Sequence, residues 1–323
     1  MTVQTPPFSQ WVASPEWRSA ATEWIADGVA RSGRRMAGPV RQPRIRPWST
    51  QLVVATDHGD VWFKATCRAA RFEAEVHQLL SRLLPDRLQR PLAIDARRGW
   101  LLTADHGEQP LEDTAAETAD WRALVREGAH WQQRLASHGP ELLEAGLPDC
   151  SPATVPERFD RLLEALERLP AGRRSSLDAG EATRFRRRRG ELVDACAALC
   201  DSPLPATFQH GDLHWGNAWG SREQPRLFDF GDASWAAAVE SLAVPRAVAL
   251  MGADVRWSEV VAAYLEVWDL DHTAWGVAWN AATFTHAVNR AVSWWGSLQE
   301  ATDAEWEQWG EAPLAHLREM MRT

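Results

Sequence analysis

Residues 208 to 232 constrain this chain more than any other stretch. They read Phe-Gln-His-Gly-Asp-Leu-His-Trp-Gly-Asn-Ala-Trp-Gly, then Ser221 to Arg226, then Leu-Phe-Asp-Phe-Gly-Asp. His210, Asp212, His214 and Asn217 fall within eight residues, a run too polar and too broken by glycine for a core strand. Gly220 precedes Ser221 to Arg226 and Pro225 lies inside it, which predicts a hairpin turn. The short apolar run Leu227-Phe228 ends in Asp229. One loop therefore carries an Asp and an Asn five residues apart, and a strand end twelve residues after Asn217 brings back a second Asp.

Phosphoryl transfer needs this set of groups. One carboxylate orients the attacking hydroxyl and accepts its proton, while an amide oxygen and a second carboxylate hold Mg²⁺ against the phosphates. Asp212 suits the first task, and Asn217 with Asp229 the second. The pattern H-G-D-x-H-x-x-N followed by an apolar D-x-G resembles the aminoglycoside phosphotransferase and choline kinase superfamily. By motif the resemblance covers roughly residues 40 to 235. It implies an α+β, bilobal protein-kinase-like fold, with a small antiparallel-sheet N-lobe and a mostly helical C-lobe. It also implies ATP and Mg²⁺ as cofactors, Asp212 as the base, and Asn217 and Asp229 as metal ligands. His210 and His214 support the loop, His210 bracing it from behind.

Composition sharpens one residue. Of 35 basic residues 34 are Arg, and the single Lys is Lys64. A lysine that persists against such a bias occupies a place a wide guanidinium does not fill, and a narrow phosphate site is such a place. Asn217 is one of three asparagines and Tyr264 the one tyrosine, the latter without an evident role.

Around Lys64 the pattern turns to strands: Arg44 to Arg46, Gln51 to Ala55, and Val61 to Lys64 after a turn at Asp57-His58-Gly59-Asp60. The resemblance places the phosphate-gripping lysine at such a strand end, so Lys64 takes that role. No Gly-rich loop precedes it, and Ser49 and Thr50 are the candidates to cover the phosphates. A helix over 69–84 offers Glu73, with Glu75 as the alternative, to pair with Lys64. Strands at Leu92 to Asp95 and Trp100 to Ala104 lead to a hinge over 103–107, where Thr103 and Asp105 are candidate adenine contacts. The expected division is an N-terminal nucleotide-binding lobe over 1–102, the hinge, and a helical lobe over 108–323 with the substrate site.

Other elements follow from periodicity. Ser14 and Pro15 open a helix over 15–30, and further helices are expected over 114–138, 156–169 and 180–200. Residues 234 to 323 read as helical and hold nine of the nineteen tryptophans, which predicts a sizeable aromatic core there. Candidate walls of the acceptor site are Asp232, Glu266, Trp268, and the segment Trp275 to Trp295 with His286, Asn289 and Arg290. The run Arg186 to Arg189 wraps most of a helix rather than one face, so it reads as a solvated helix end.

The whole chain bounds the rest. Its 323 residues, 45% hydrophobic and 24% charged, suit a globular protein with a sizeable core. No stretch approaches a membrane span and no signal peptide opens the sequence. A net charge of −9 argues against nucleic acid as a partner. The four cysteines lack zinc spacing and fit a reducing cytoplasm. The expectation is a cytoplasmic small-molecule kinase acting on a hydroxyl of an aminoglycoside, amino sugar or related metabolite. The rivals are a protein kinase, disfavoured by H-G-D in place of H-R-D and by the lack of an A-P-E segment, and a non-catalytic nucleotide-binding scaffold.

Overall fold

The structure is a computed structural model that describes residues 6–107, 111–252, 254–272 and 275–322. Residues 108–110, the start of the expected second lobe, lie outside that set. The chain forms two compact units. One runs to His106 and takes in Trp295–Gly310, and the other holds Gly107–Trp294 and Glu311 onward. The break falls within the expected hinge, but Trp295–Gly310, expected in the helical lobe, belongs to the first unit.

The first unit opens with α1 (Phe8–Ala13) and α2 (Pro15–Arg31). Ser14 caps α2 by accepting from the Trp17 N–H, and Pro15 sits where a missing N–H costs nothing. Then come β1 (Arg41–Ile45), β2 (Ser49–Thr56), β3 (Gly59–Thr66), α3 (Glu73–Leu83), β4 (Ala93–Asp95) and β5 (Trp100–Ala104). The strands form one antiparallel sheet in the order β1-β2-β3-β5-β4.

Strand alternation decides what each face meets. Leu52, Val54, Val61, Phe63, Ala65, Trp100 and Leu102 turn to one face and pack with Trp17, Ala21 and Ile25 of α2. Phe63 and Trp100 meet Trp17 and Trp24 edge to face at centroid distances of 5.5 to 6.0 Å. Trp62, Lys64, Leu101 and Thr103 are cross-strand neighbours on the opposite face.

The second unit begins with a 3-10 turn at Asp113–Ala115, then α4 (Thr118–Leu135). A capping box between Glu117 and Asp120 starts α4 at Thr118 rather than at the expected 114, and Asp113 stands in the preceding 3-10 turn. There follow α5 (Gly139–Glu144), α6 (Val155–Glu167), α7 (Ala179–Arg187) and α8 (Arg189–Cys200). The helix expected over 180–200 is thus two, divided at Arg188. The arginine run is paired with nearby acids: Arg186 with Glu167, Arg188 with Glu191 at 3.1 Å, and Arg189 with Asp160 at 2.8 Å.

β6 (Ala206–Gln209), β7 (Ala218–Gly220), β8 (Pro225–Leu227) and β9 (Ser234–Ala237) build two small antiparallel sheets, β6 with β9 and β7 with β8. Ser234–Ala237 was expected to be helical. It is extended because its backbone pairs with β6, Phe208 opposite Trp235. Next come α9 (Ala243–Ala249), α10 (Trp257–Val267) and α11 (Trp275–Ser297), then α12 (Asp303–Trp309) in the first unit and α13 (Ala312–Leu317) in the second.

Two expectations about side chains change here. Of the nine C-terminal tryptophans only Trp306 is buried. The aromatic core of the second unit lies instead around Trp131, Phe208 and Phe230, at 5.7 to 6.2 Å. Tyr264 is fully buried, with its hydroxyl 2.7 Å from Gln132 Oε1 and 2.8 Å from the Ala238 carbonyl. It ties α10 to α4 and to the end of β9. The four cysteines are free thiols, and only Cys200 is exposed. Among the described residues no helix is long and apolar enough to cross a membrane.

Candidate active site

In the first unit Lys64 stands on the sheet face opposite α2 and reaches α3. Its Nζ donates to Glu73 Oε1 at 2.7 Å, with 14% and 3% of the two side chains exposed. Glu75 is only half-buried, while Glu73 lies in the first turn of α3 on the sheet side. An ion pair this buried is costly to form and more costly to break, so each partner holds the other in place.

The strand register separates the other nucleotide candidates. Ser49 is opposite Thr66 and so shares Lys64's face, as Thr103 does through Trp62. Thr50 is opposite Ala65 and faces the other way. Its hydroxyl donates to the Arg44 carbonyl at 2.8 Å and accepts from Gln42 at 2.9 Å, with no exposed surface. Thr50 is therefore a sheet-edge brace rather than a phosphate contact. Both residues begin β2 instead of forming a loop. Thr103 ends in β5, and Asp105 follows it, accepting from Trp62 Nε1 at 3.1 Å.

In the second unit the predicted residues of the loop after β6 come together. Asn217 Nδ2 donates to the Asp212 carbonyl at 2.9 Å and to its carboxylate at 3.1 Å. His210 is buried, and its Nε2 donates to the Phe228 carbonyl at 2.9 Å while its Nδ1 accepts from the Asp212 N–H. That is the neutral imidazole, and burial accordingly lowers its pKa. The Phe228 N–H in turn donates to the Asn217 carbonyl at 3.2 Å. Asp229 thus follows a residue whose two backbone groups are both fixed. Asp229 itself takes φ of 66°, a left-handed conformation that Asp tolerates better than most residues and that the surroundings must hold. Gly211 is required by space: with φ of 79°, a Cβ there would lie 1.9 Å from the Asp232 carbonyl oxygen.

Two residues complete the loop. Asp113, from the turn before α4, accepts from His214 Nδ1 at 2.8 Å and from the Trp215 N–H at 2.7 Å. It was not foreseen. On the other edge of the imidazole, His214 Nε2 lies 3.4 Å from the Asp212 carboxylate. Burial alone would lower the His214 pKa, but its hydrogen bonds to Asp113 and Asp212 and their charges outweigh that and raise it to about 10. His214 is therefore an imidazolium at neutral pH.

Arg290, on α11, is the second. It was foreseen only as part of a substrate wall. It places Nη1 2.6 Å from Asp232 and Nη2 3.2 Å from Asp212, and Ser293 adds a hydrogen bond to Asp232 at 2.9 Å. Burial pushes the Asp212 carboxyl up. The hydrogen bond from His214 and the charge of Arg290 overcome it and bring the pKa down to about 2. Asp212 is thus an anion with a cation on each of its oxygens.

The other substrate candidates divide. Asp232 is in this cluster. Glu266 is instead exposed and paired with Arg126, an α10–α4 bridge. Trp268 is half-buried at the C-terminal end of α10. Asn289 is buried and donates to Glu240 and to the Cys150 carbonyl, which makes it part of the packing. His286 is half-buried, and desolvation lowers its pKa to about 3.

The donor chemistry fits Mg²⁺. Asn217 spends its amide nitrogen on Asp212, which leaves its hard side-chain carbonyl oxygen as a donor, and its backbone carbonyl accepts from the Phe228 N–H next to Asp229. Among the described residues no three His, Cys, Asp or Glu side chains gather as a metal cage. Mg²⁺ at phosphates uses one or two protein ligands and takes the rest from water and phosphate, so a two-residue set is sufficient.

No protein-family model and no curated protein matches the sequence. Solved structures do match. A choline kinase from Streptococcus pneumoniae is 12% identical with a TM-score of 0.61, over 95% of this chain and 98% of that one. A macrolide 2'-phosphotransferase from Brachybacterium faecium is 14% identical with a TM-score of 0.58, over 93% and 98%. An ethanolamine kinase from Plasmodium vivax is 11% identical with a TM-score of 0.60, over 87% and 82%. These likenesses show the fold: the chain has the bilobal α+β, kinase-like fold that macrolide phosphotransferases and choline and ethanolamine kinases share.

Proposed function

We propose that this chain is a small-molecule kinase that transfers the γ-phosphoryl group of ATP to a hydroxyl of an aminoglycoside, amino sugar or related metabolite. The observation that carries this reading is the loop after β6. There Asp212 is an anion gripped by Asn217, His214 and Arg290, and Asp229 follows at a fixed strand end. The fold is one that small-molecule kinases use.

In this reading Asp212 accepts a hydrogen bond from the acceptor hydroxyl and aligns its oxygen for in-line attack. A carboxylate of low basicity is a poor base for a free alcohol, so it takes the proton late, as P–O bond formation acidifies the hydroxyl. His214 and Arg290 fix the direction of the carboxylate, which reduces the reorganisation needed at the moment of transfer. Lys64, held straight by Glu73, contacts the α and β phosphates, with Ser49 on the same sheet face and Thr103 and Asp105 near the adenine. Asn217 and Asp229 would hold Mg²⁺, which when bound neutralises charge on the phosphates. Asp232 lies on the acceptor side. Buried and free thiols suit a reducing cytoplasm.

The test is phosphorylation with labelled ATP and Mg²⁺ across a panel of aminoglycosides, macrolides, amino sugars and choline-like alcohols, with a generic protein substrate alongside. Transfer to at least one small hydroxyl compound is expected. Transfer to protein alone would favour a protein kinase. Nucleotide binding with no turnover on any acceptor would leave a scaffold.

A further inference from the structure

The first unit contains a cavity of about 410 Å³ where α1 and α2 meet the segment after β3 and the β4–β5 turn. Ala65 and Trp100 line it, which puts it on the sheet face opposite Lys64. Its floor is aromatic, from Phe8, Trp17 and Trp100, all buried. Its rim is basic, from Arg68, Arg71, Arg97 and Arg98.

Several contacts hold this arrangement together. Gly99, with φ of 67°, lets the turn that carries Arg97 and Arg98 press onto Arg71: a Cβ there would lie 3.0 Å from Arg71 Cγ and 2.9 Å from Thr66 Oγ1. The Arg98 guanidinium lies 4.7 Å from the centroid of the Trp100 ring. Glu300 accepts from the Arg68 N–H at 2.9 Å, pairs with its guanidinium at 3.3 Å, and through its carbonyl accepts from the Phe8 N–H at 2.9 Å. Rim and floor are therefore fixed to each other.

Charge then distinguishes the site. The arginines at 186, 188 and 189 each have an acid partner. In the cavity Glu300 answers Arg68, and Asp95 lies 3.6 Å from Arg98. Among the described residues no ion pair engages Arg71 or Arg97, both exposed at the rim. Glu16 is the one other acid of the lining. A basic rim over an aromatic floor matches a ligand that is aromatic at one end and anionic at the other. The volume lies within the range of small-ligand pockets, roughly 300–1,000 Å³.

We propose that this cavity binds a small aromatic anion, its ring against Trp17 and Trp100 and its carboxylate or phosphate taken by Arg71 and Arg97. The site is separate from the proposed kinase residues and does not depend on that reading. Calorimetric titration of the full chain with 1-naphthoate tests it, with 1-naphthalenemethanol as the uncharged counterpart. Saturable one-to-one binding of naphthoate is expected, with the alcohol at least about tenfold weaker. The exposed charge reversals Arg71→Glu and Arg97→Glu together are expected to weaken naphthoate by about tenfold or more while leaving the melting temperature near that of wild type. Ala20→Trp, which fills the cavity from α2 without touching the charges, is expected to block binding as well. Absence of saturable heat, equal binding of the alcohol, or undiminished binding in either variant would overturn the proposal.

Discussion

Lys64 and Asp212 are held in place by different means. Lys64 pairs with the buried Glu73, and both side chains stand on regular elements, β3 and α3. Asp212 stands on irregular backbone, held by an amide, an imidazolium and a guanidinium that come from two places beyond its own strand end. The imidazolium is itself fixed by Asp113. The comparison teaches how rigidity is reached without regular structure. A strand and a helix supply stiffness to the Lys64–Glu73 pair. A loop lacks it and needs several charged hydrogen bonds acting together. Loss of either member of the buried pair strands the charge of the other, whereas the loop network has further members to restrain Asp212.

The severest test removes the centre of the network. Asp212→Ala is expected to lower turnover by about a thousandfold or more, with MgATP affinity within about threefold of wild type. A parallel loss of nucleotide binding, measured by titration, would show that Asp212 has a different job.

Next comes the pair. Lys64→Ala leaves Glu73 buried without its cation, and truncating one partner of such a pair costs on the order of 3–5 kcal/mol. Denaturant unfolding would report that loss. Lys64→Arg addresses the composition argument directly: recovery of full kcat/KM by arginine would mean that a compact ammonium is not what this position needs.

Arg290→Gln is expected to reduce kcat by only about tenfold, because His214 still restrains Asp212. A double variant with His214→Asn is expected to lose more than the product of the two single effects. Strictly multiplicative losses would mean that the two cations act independently and that the contrast drawn above is mistaken.

The mildest change is Asp113→Asn. The folded pKa of His214, about 10, lies above its ordinary value of 6.5. Its stabilising contribution is therefore complete below about pH 6.5 and is lost as pH rises toward 10. Removing the Asp113 charge lowers that folded pKa, so at pH 8 the His214 ring is protonated in wild type and more neutral in the variant. A carbon-13 chemical-shift titration of the ring reads this, and identical titrations would exclude Asp113 as the source of the shift.

Local features of the fold were legible. The Ser14-Pro15 start of α2, the strand that ends near Lys64, and the hairpin between Gly220 and Pro225 each depend on neighbours in sequence, so propensity and turn chemistry exposed them. Asp113 escaped because it acts 101 residues away from His214, and nothing in its own surroundings distinguishes it from a solvated helix-start acid. Ser234–Ala237 misled for a related reason: its small residues carry weak preferences, and pairing with β6 decides their conformation. Thr50 shows the third kind of limit. Its residue type suited a phosphate loop, but the register that turns it away from Lys64 is fixed by the whole sheet.

The return of Trp295–Gly310 to the first unit has a consequence for synthesis. Glu300 accepts from the backbone of Phe8 and of Arg68, and Trp309 lies edge to face on Trp48 at 5.3 Å. A ribosome emitting this polypeptide exposes the amino-terminal sheet nearly two hundred residues before the piece that finishes it. A fragment ending near His106 would therefore be an unfinished body, and only a chain extended through Gly310 can seal it.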